Sequence, residues 1–342
     1  MSTVNVAVVG LGFMGITHLK AYRQIPNVRI AALCDAVRLP VDGVLAAPGG
    51  NIGSDDTLSF DMTQVRATHH LEDLLADPSI DLIDICVPTL AHPKLAIAAL
   101  EAGKHVICEK PLARTAAAAR EIAAAAALSN GFFMPAMCIR FWPEYVWLKQ
   151  AIDEHTYGRV LAARFRRVSE PPAWGREHFF DGAKSGGAIL DLHIHDVDFV
   201  QFCFGRPVAV FAQGFSQYSG EIDHVVAQYQ VASGAIVSAE GGWVMGDGHG
   251  FEMAFTVIFE NATVDFNCTR GPEGLRLYEK DQQARTIQLP PGDGYLAELS
   301  YMIQCIRDGI PPRTVTGNDG ASAVEICEAE GESIRTGRVV VI

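Results

Sequence analysis

A chain of 342 residues with 49% apolar and 20% charged residues has the composition of a soluble globular protein, and its length favours two domains. The net charge of −13 argues against non-specific binding to nucleic acid or to an anionic membrane, because both attract basic surfaces. No apolar run reaches the roughly 18 residues that a membrane-spanning helix needs.

The first residues and the cysteines predict a cytoplasmic location. Residues 1–5 lead directly into a strand-like run, without the basic segment, apolar segment or twin arginine of an export signal. The eight cysteines are scattered, most of them inside apolar runs, and no pair has CxxC spacing. We therefore expect buried free thiols in a reducing compartment.

The N-terminal part of the chain alternates between strands and helices. The predicted strands are residues 4–9, 28–34, 82–87, 105–108 and 132–138, and the predicted helices are residues 14–24, 71–76, 92–102 and 115–129. Such alternation predicts a parallel sheet with helices on both faces. Residues 39–66 are rich in Gly, Pro and Asp, and we interpret them as a long connection.

After about residue 140, strands with alternating apolar residues dominate the pattern. The predicted elements are a helix over 143–154, strands over 160–168, 208–215, 224–231, 235–243, 251–259, 262–268 and 274–278, a crossing helix over 185–203 and a final helix over 320–336. Turn signals such as Ser233-Gly234 separate the strands, so we predict a mainly antiparallel sheet.

A glycine motif follows the first strand and opens the first helix. In Gly10-Leu-Gly12-Phe13-Met14-Gly15, the first glycine permits a tight turn, the second lets the backbone approach a pyrophosphate, and the third lets the helix pack on the strand. We therefore predict a dinucleotide-binding (Rossmann) domain over 1–135, with Gly10 to Gly15 as cofactor contacts. A second domain over 136–342 would bind substrate, and its final helix would be free to pack back on the first domain.

Asp35 ends the second strand, 20 residues after Gly15. A carboxylate at this position accepts hydrogen bonds from the adenosine ribose and repels a 2′-phosphate, so it favours NAD over NADP. Arg38 lies three residues later, and a cation there would weaken the preference for NAD over NADP. The alternative is an exposed carboxylate that merely ends the strand.

The turn after the strand over 82–87 is a second candidate cofactor contact. Pro88 and Thr89 form a loop at the carboxyl end of a buried strand, and His92 begins the following helix. In a doubly wound sheet this edge holds the ligand, so we expect Pro88, Thr89 and His92 to contact the cofactor. For His92 a purely local role at the helix start is an equal alternative.

Glu109-Lys110-Pro111 ends the strand over 105–108 at the same predicted edge. A lysine at a strand end is usually solvated, but here the strand belongs to a nucleotide-binding sheet and its end points at the ligand crevice. Pro111 stops the strand and fixes the path of the chain. We therefore place Glu109 and Lys110 beside the cofactor.

A second group of ionisable residues lies on the predicted crossing helix. Asp191 and His195 are one helical turn apart, and Asp198 follows three residues later. A carboxylate that orients an imidazole supports a general base, although a His–Asp pair that is satisfied within the core has the same spacing. His193 and His195 do not suit a zinc site on a helix, because HxH spacing converges on a strand, so we predict no metal.

Together these motifs resemble the glucose–fructose oxidoreductase and inositol dehydrogenase family (Gfo/Idh/MocA), over nearly the whole chain. The motifs that carry the resemblance are Gly10-x-Gly12-x-x-Gly15 with His18, residues 101–111 ending in Glu109-Lys110-Pro111, Arg140-Phe-x-Pro143, Gly186-Gly187 with Asp191-x-x-x-His195-x-x-Asp198, and residues 329–337. One departure is His193, which stands where the family often has Gly and adds a second imidazole near the site.

The resemblance implies an α/β fold in which a Rossmann NAD-binding domain precedes an α/β domain with a large, open, mainly antiparallel sheet. It puts Lys110, Asp191 and His195 on the family's catalytic positions. It also implies a homodimer or homotetramer formed through the outer face of that sheet.

The expected reaction moves a hydride between nicotinamide and a secondary hydroxyl or keto group of a sugar, inositol or related polyol. His195 is the preferred general base, Lys110 binds the same oxygen, and Asp191 orients the imidazole or the substrate. Two alternatives stay open, an NAD-dependent glycosidase that recycles its bound cofactor and a non-catalytic NAD-binding regulator. Candidate substrate contacts are Arg140, Trp142, Trp174, Arg176, His178, Lys184 and His193.

Overall fold

The structure is a computed structural model that describes residues 3–46 and 57–342. Residues 47–56, the middle of the predicted connection over 39–66, lie outside the described residues. The chain divides into two compact units, one formed by residues 1–138 with 293–321 and the other by residues 139–292 with 322–342. The predicted boundary near residue 135 is close to the first of these crossings, but the return of residues 293–321 to the first unit was not predicted.

The first part of the chain alternates strands and helices, as the sequence predicts. Its elements are β1 (Val4–Val9), α1 (Phe13–Tyr22), β2 (Val28–Cys34), β3 (Val44–Leu45), β4 (Leu58–Ser59), β5 (Arg66–Thr68), α2 (Leu71–Leu75), β6 (Leu82–Ile85), α3 (His92–Glu101), β7 (His105–Glu109), α4 (Ala116–Leu128) and β8 (Phe133–Ala136).

Six of these strands form a parallel sheet in the order β5-β2-β1-β6-β7-β8. The strand order reverses on either side of β1, so the carboxyl ends of β1 and β6 flank the point where such sheets bind ligands. Val6 and Val8 are fully buried, as expected for a sheet covered on both faces. The predicted Rossmann-type domain is confirmed.

The rest of the chain contains a larger sheet and further helices, and its residues 294–308 belong to the first unit. Its elements are α5 (Pro143–Asp153), β9 (Val160–Ser169), α6 (Arg176–Phe179), α7 (Gly182–Ser185), α8 (Ile194–Phe204), β10 (Ala209–Phe215), β11 (His224–Gln230), β12 (Ile236–Gly242), β13 (Phe251–Phe259), β14 (Ala262–Asn267), β15 (Leu275–Glu279), β16 (Arg285–Thr286), α9 (Gly294–Asp308), α10 (Gly317–Thr336) and β17 (Val340–Val341).

The nine-stranded sheet has the order β16-β15-β14-β13-β9-β12-β11-β10-β17. Only the β9–β12 pair is parallel, and the other pairs are antiparallel, which confirms the mainly antiparallel prediction. On its buried face Phe165 and Phe255 pack with Phe199 of α8 and Tyr145 of α5, whose rings meet largely edge to face.

Two helical segments differ from the sequence prediction. The crossing helix predicted over 185–203 is interrupted: α7 ends at Ser185, a π-helical turn spans Ile189–His193, and α8 begins at Ile194. Helix α9 was not predicted at all. Asp293 caps it by accepting a hydrogen bond from the Tyr295 N–H at 2.8 Å, and the helix packs against α1 in the first unit.

None of the helices in the described part of the chain combines the length and apolarity that a membrane crossing requires.

Candidate active site

The loop after β1 has the geometry of a pyrophosphate cradle. Gly10 has φ +95°, and a Cβ there would lie 2.5 Å from the Cys86 carbonyl oxygen, so only glycine fits. A Cβ at Gly15 would lie 1.9 Å from the Gly10 oxygen. A Cβ at Gly12 would meet no atom of the described residues within 4 Å, which leaves space for a ligand in front of the α1 N-terminus.

Asp35 lies beside this loop, because β2 is the neighbour of β1. One of its carboxylate oxygens accepts the Leu11 N–H at 2.8 Å, and the other accepts the Val37 and Arg38 N–H groups at 2.8 and 2.9 Å. The Asp35 carboxylate therefore holds the glycine loop through the Leu11 N–H. It also lies at the position that binds the adenosine ribose in dinucleotide-binding folds. His69, which the sequence did not single out, has its Nδ1 2.7 Å from the Asp35 carbonyl oxygen.

The turn after β6 brings three predicted cofactor contacts to the same sheet edge. Pro88 is exposed, and Thr89 begins a 3-10 turn that leads into α3. His92 is 1% exposed, with Nδ1 2.9 Å from the Pro111 oxygen and Nε2 2.8 Å from the Val87 oxygen. Burial lowers the pKa of His92. The geometry thus gives His92 a supporting role between two loops, and its contact with the cofactor stays a prediction.

Lys110 follows the last residue of β7 and is half-buried. The side chain of Glu109 turns inward and is 5% exposed. Its Oε2 accepts the backbone N–H of Lys110 at 3.0 Å, and its Oε1 lies 3.2 Å from Nε2 of His18. Glu109, predicted as a cofactor contact, therefore also links the Lys110 backbone to the interior of the unit.

A buried polar cluster lies behind that link. Nδ1 of His18 is 2.8 Å from Asp84 Oδ2, and the Cys86 thiol is 3.4 Å from both partners. Burial by itself would lower the pKa of His18, but the adjacent Asp84 carboxylate raises it well above 6.5. The sequence analysis did not assign Asp84 a role, although a carboxylate inside the apolar run of β6 signals a buried partner.

In the second unit, Asp191, Leu192 and His195 are half-buried within the otherwise buried residues 185–201. Asp191 lies in the π-helical turn and His195 in the first turn of α8, so the predicted one-turn spacing crosses a change of helix type. π-helical turns occur frequently at functional sites. The neighbours His193, Asp196 and Asp198 are at most 1% exposed.

Each of those buried neighbours has an ionic partner. His193 Nε2 is 3.1 Å from Glu330 Oε2, and Asp196 Oδ2 accepts from Arg167 Nε at 2.9 Å. Asp198 accepts two hydrogen bonds from Arg140, at 2.8 and 2.7 Å.

Two residues predicted as substrate contacts are therefore buried in pairs of this kind. Arg140 is 3% exposed and held by Asp198, while His193 is fully buried against β12 with its partner Glu330. In both pairs, the sequence signal is the acidic partner, Asp198 or Glu330, which lies on the buried side of an amphipathic segment.

The remaining predicted substrate contacts lie on loops of the second unit. Trp142 precedes α5, and Trp174 is 43% exposed with its ring 4.9 Å from that of Phe179. The Arg176 guanidinium lies 5.0 Å from the Phe180 ring centre, and His178 packs edge-on against Phe179. Lys184 forms an exposed ion pair with Asp181.

A parallel sheet with this glycine loop at its switch point is the fold of a nicotinamide-dependent oxidoreductase. Two family models match the chain: residues 4–136 match the oxidoreductase family with an NAD-binding Rossmann fold, and residues 145–265 match the GFO/IDH/MocA C-terminal domain. The chain belongs to the Gfo/Idh/MocA family, and its cofactor is NAD.

Named relatives span almost all of the chain. Levoglucosan dehydrogenase of Pseudarthrobacter phenanthrenivorans is 28% identical over 333 residues, covering 86% of this chain and 82% of the relative. Myo-inositol 2-dehydrogenase of Thermotoga maritima is 28% identical over 356 residues and 98% of each chain. A solved levoglucosan dehydrogenase, in complex with NADH and L-sorbose, has the same fold, with a TM-score of 0.84, 24% identity and coverage of 100% and 99%.

Proposed function

We propose that this chain transfers a hydride between NAD(H) and a secondary hydroxyl or keto group of a sugar, an inositol or a related polyol. The observation that carries the proposal is Lys110, a half-buried cation directly after β7 on the ligand edge of the NAD-binding sheet. A pure binding protein has no need of a cation there together with Asp191 and His195. Relatives named for levoglucosan and inositol oxidation support the substrate class.

NAD supplies the hydride acceptor, and the residues of the chain handle the proton and the oxygen. In the oxidation, His195 removes the hydroxyl proton and Lys110 donates a hydrogen bond to the same oxygen as negative charge develops on it. Asp191 orients the imidazole or the substrate. Within each unit, the buried polar contacts behind these residues support the roles, because they limit the positions that the backbone next to each side chain can take.

We further propose a homodimer or homotetramer formed through the nine-stranded sheet. Its outer face carries exposed Ile236 and Ile258, which flank Ala162 on the intervening strand β9. Farther along this face, Glu240 pairs with Arg164 and Arg166. Light scattering should give two or four chains, and I236E should shift the mass toward that of one chain while leaving NADH binding intact. An unshifted mass would contradict this arrangement.

We infer a cytoplasmic location from the thiols. All eight cysteines are free, and six of them are buried. Such a set persists in a reducing compartment.

A substrate panel tests the proposed reaction. Inositols, levoglucosan, aldoses and keto sugars would be incubated with NAD(H) and with NADP(H), and the absorbance of the reduced nicotinamide would be followed. We expect stoichiometric NADH formation with at least one polyol and a preference for NAD, since Asp35 repels a 2′-phosphate. Cleavage of a glycoside without net NADH would instead show the glycosidase reaction, and NADH binding without turnover of any member would contradict both reactions.

A further inference from the structure

The path from Lys110 into the protein interior runs through a single histidine. The Lys110 N–H is held by Oε2 of Glu109, and Oε1 of Glu109 lies 3.2 Å from Nε2 of His18, which is an ion-pair distance without hydrogen-bond geometry. The other ring nitrogen of His18 is 2.8 Å from Asp84. Three consecutive contacts therefore connect the backbone of the expected catalytic lysine to the middle of strand β6.

This arrangement requires a positive charge on the ring. Glu109 and Asp84 are 5% and 0% exposed, and a buried carboxylate without a compensating charge is costly. A neutral imidazole hydrogen-bonded to Asp84 offers Glu109 no charge, whereas an imidazolium carries a positive charge that compensates the nearby Glu109 carboxylate as well. The adjacent Asp84 carboxylate raises the pKa of His18 well above its ordinary value, against the opposing effect of burial.

We propose that His18 is the positioning residue of Lys110: its imidazolium binds Asp84 through one nitrogen and Glu109 through the other, and so fixes the strand end from which Lys110 extends. The proposal rests on the dehydrogenase function proposed above, and it adds a residue that does not touch substrate or cofactor.

A metal ion is the competing explanation for a buried His–Asp–Cys group. Ligand atoms of His18, Asp84 and Cys86 lie close together. However, the 2.8 Å between His18 Nδ1 and Asp84 Oδ2 is a hydrogen-bond distance. Burial also raises the pKa of the Cys86 thiol, which disfavours the thiolate that a metal binds. An ion pair explains the geometry without an ion.

The other ionisable groups around the ring come from helices α1 and α9. Tyr22 of α1 is 1% exposed and Glu298 of α9 is fully buried. Burial raises the pKa of Glu298 well above 4.5; the charge of His18 opposes this effect, and the Glu109 and Asp84 carboxylates add to it. The imidazolium therefore faces two carboxylates, one acid whose pKa is raised, one phenol and one thiol.

Two substitutions of His18 test the contacts of its two ring nitrogens separately. In H18N the side-chain amide reaches the position of Nδ1 and retains the Asp84 contact only; in H18Q it reaches the position of Nε2 and retains the Glu109 contact only. We expect H18N to lower kcat by ~10- to 100-fold, because a misplacement of about 1 Å in a catalytic group can cost ~100-fold. Since Glu109 is the direct link to Lys110, H18Q should lose several-fold less, and KM and the NADH Kd should change less than about twofold in both.

A matched control lies at the other end of the same strand. Lys104 is 8% exposed, precedes β7, and donates to the carbonyl oxygens of Asp77 and Ile80 at 2.6 and 2.8 Å. K104M should destabilise the unit without lowering kcat. An equal kcat loss in K104M at a matched melting temperature, equal losses in H18N and H18Q, or full kcat in H18N would each overturn the proposal.

Two further measurements keep the test decisive. If H18N does not fold, E109Q replaces it, because its amide oxygen still accepts the Lys110 N–H while the charge facing His18 is lost; unchanged kcat in E109Q would overturn the proposal. Nitrogen NMR of the histidine rings needs no substrate: the His18 ring should be doubly protonated at pH 7.5 in the parent chain. A neutral ring there would refute the proposal even if no polyol were turned over.

Discussion

The two units support their expected catalytic groups in different ways. Behind Lys110, one histidine is shared between two buried acids, Asp84 and Glu109. Behind Asp191 and His195, three separate pairs hold the segment: Glu330 with His193, Arg167 with Asp196, and Arg140 with Asp198. Behind Asp191 and His195, the charges of Asp196 and Asp198 are thus compensated by one arginine each, whereas the two acids behind Lys110 depend on one ring.

This difference predicts different responses to substitution. A self-contained ion pair can be replaced as a pair by apolar residues, because no third charge is left buried. A cation that two acids share behaves differently. If it is replaced together with only one of the acids, the other acid remains buried without a compensating charge. The first unit should also be the more sensitive to pH, because the cation shared by Asp84 and Glu109 is an imidazolium, whereas Asp196 and Asp198 in the second unit are paired with guanidinium groups.

The largest loss of activity is expected from substitution of His195, a half-buried residue of α8 in the second unit. H195A removes the general base, so kcat should fall by at least the ~100- to 10,000-fold that acid–base catalysis contributes. NADH affinity, measured by fluorescence titration, should be retained because the cofactor cradle belongs to the first unit. Turnover at the parent rate would contradict the assignment of the base.

In the first unit, the expected catalytic group is Lys110. K110A should lower kcat by a similar factor, since its hydrogen bond to the substrate oxygen strengthens as charge develops. Steady-state kinetics with a varied polyol give the measurement. A rise in KM alone, with kcat preserved, would mark Lys110 as a residue that binds ground state and transition state equally.

Arg140 tests whether the pairs of the second unit are self-contained. R140M leaves Asp198 charged and buried, so the free energy of unfolding should fall by roughly 3–5 kcal/mol in urea titrations. The double variant R140M/D198L should recover most of this loss, because the Met side chain can keep the packing of Arg140 against Phe202. Failure of the double variant to recover would mean that the pair is coupled to its neighbours, as in the first unit.

The sequence was sufficient to predict the alternating fold of the first unit because its signals are local. Strands β1 and β2 have their predicted bounds, since apolar runs bounded by a glycine turn and by Asp35 leave little choice. The glycine positions could also be read directly, because Gly10 and Gly15 are required by backbone contacts that the motif encodes.

What the sequence did not predict depends on partners far apart in the chain. The acid that binds His18 is 66 residues away, and the partner of His193 lies on α10. No local pattern pairs such residues, so the buried partners of Arg140 and His193 were not predicted, and the contact of these two residues with substrate stays a prediction. Helix α9 was missed although Leu299, Met302 and Ile303 are buried at helical spacing.

The pH dependence of stability should distinguish the shared histidine from the guanidinium pairs. The pKa of His18 is raised on folding, so its stabilising contribution is complete below about 6.5, its unfolded value, and is lost as pH rises toward the folded value. Urea unfolding of the parent chain should therefore show a loss of stability as pH rises above about 6.5, and this loss should be smaller in H18Q. Parallel profiles for the two proteins would contradict a charged His18.

The smallest effect is expected at Glu298, which faces the same ring from α9. Its pKa is raised by burial, and the nearby carboxylates of Glu109 and Asp84 raise it further. An acid whose pKa is raised on folding destabilises the folded state increasingly as pH rises above its unfolded value of about 4.3. E298Q keeps the shape of the protonated acid without a proton to lose, so the melting temperature should rise by roughly 2–4 °C at pH 8, the equivalent of ~1 kcal/mol, with no gain at pH 4. A lower melting temperature at pH 8 would instead mean that Glu298 is ionised and acts as a third acid sharing the charge of His18.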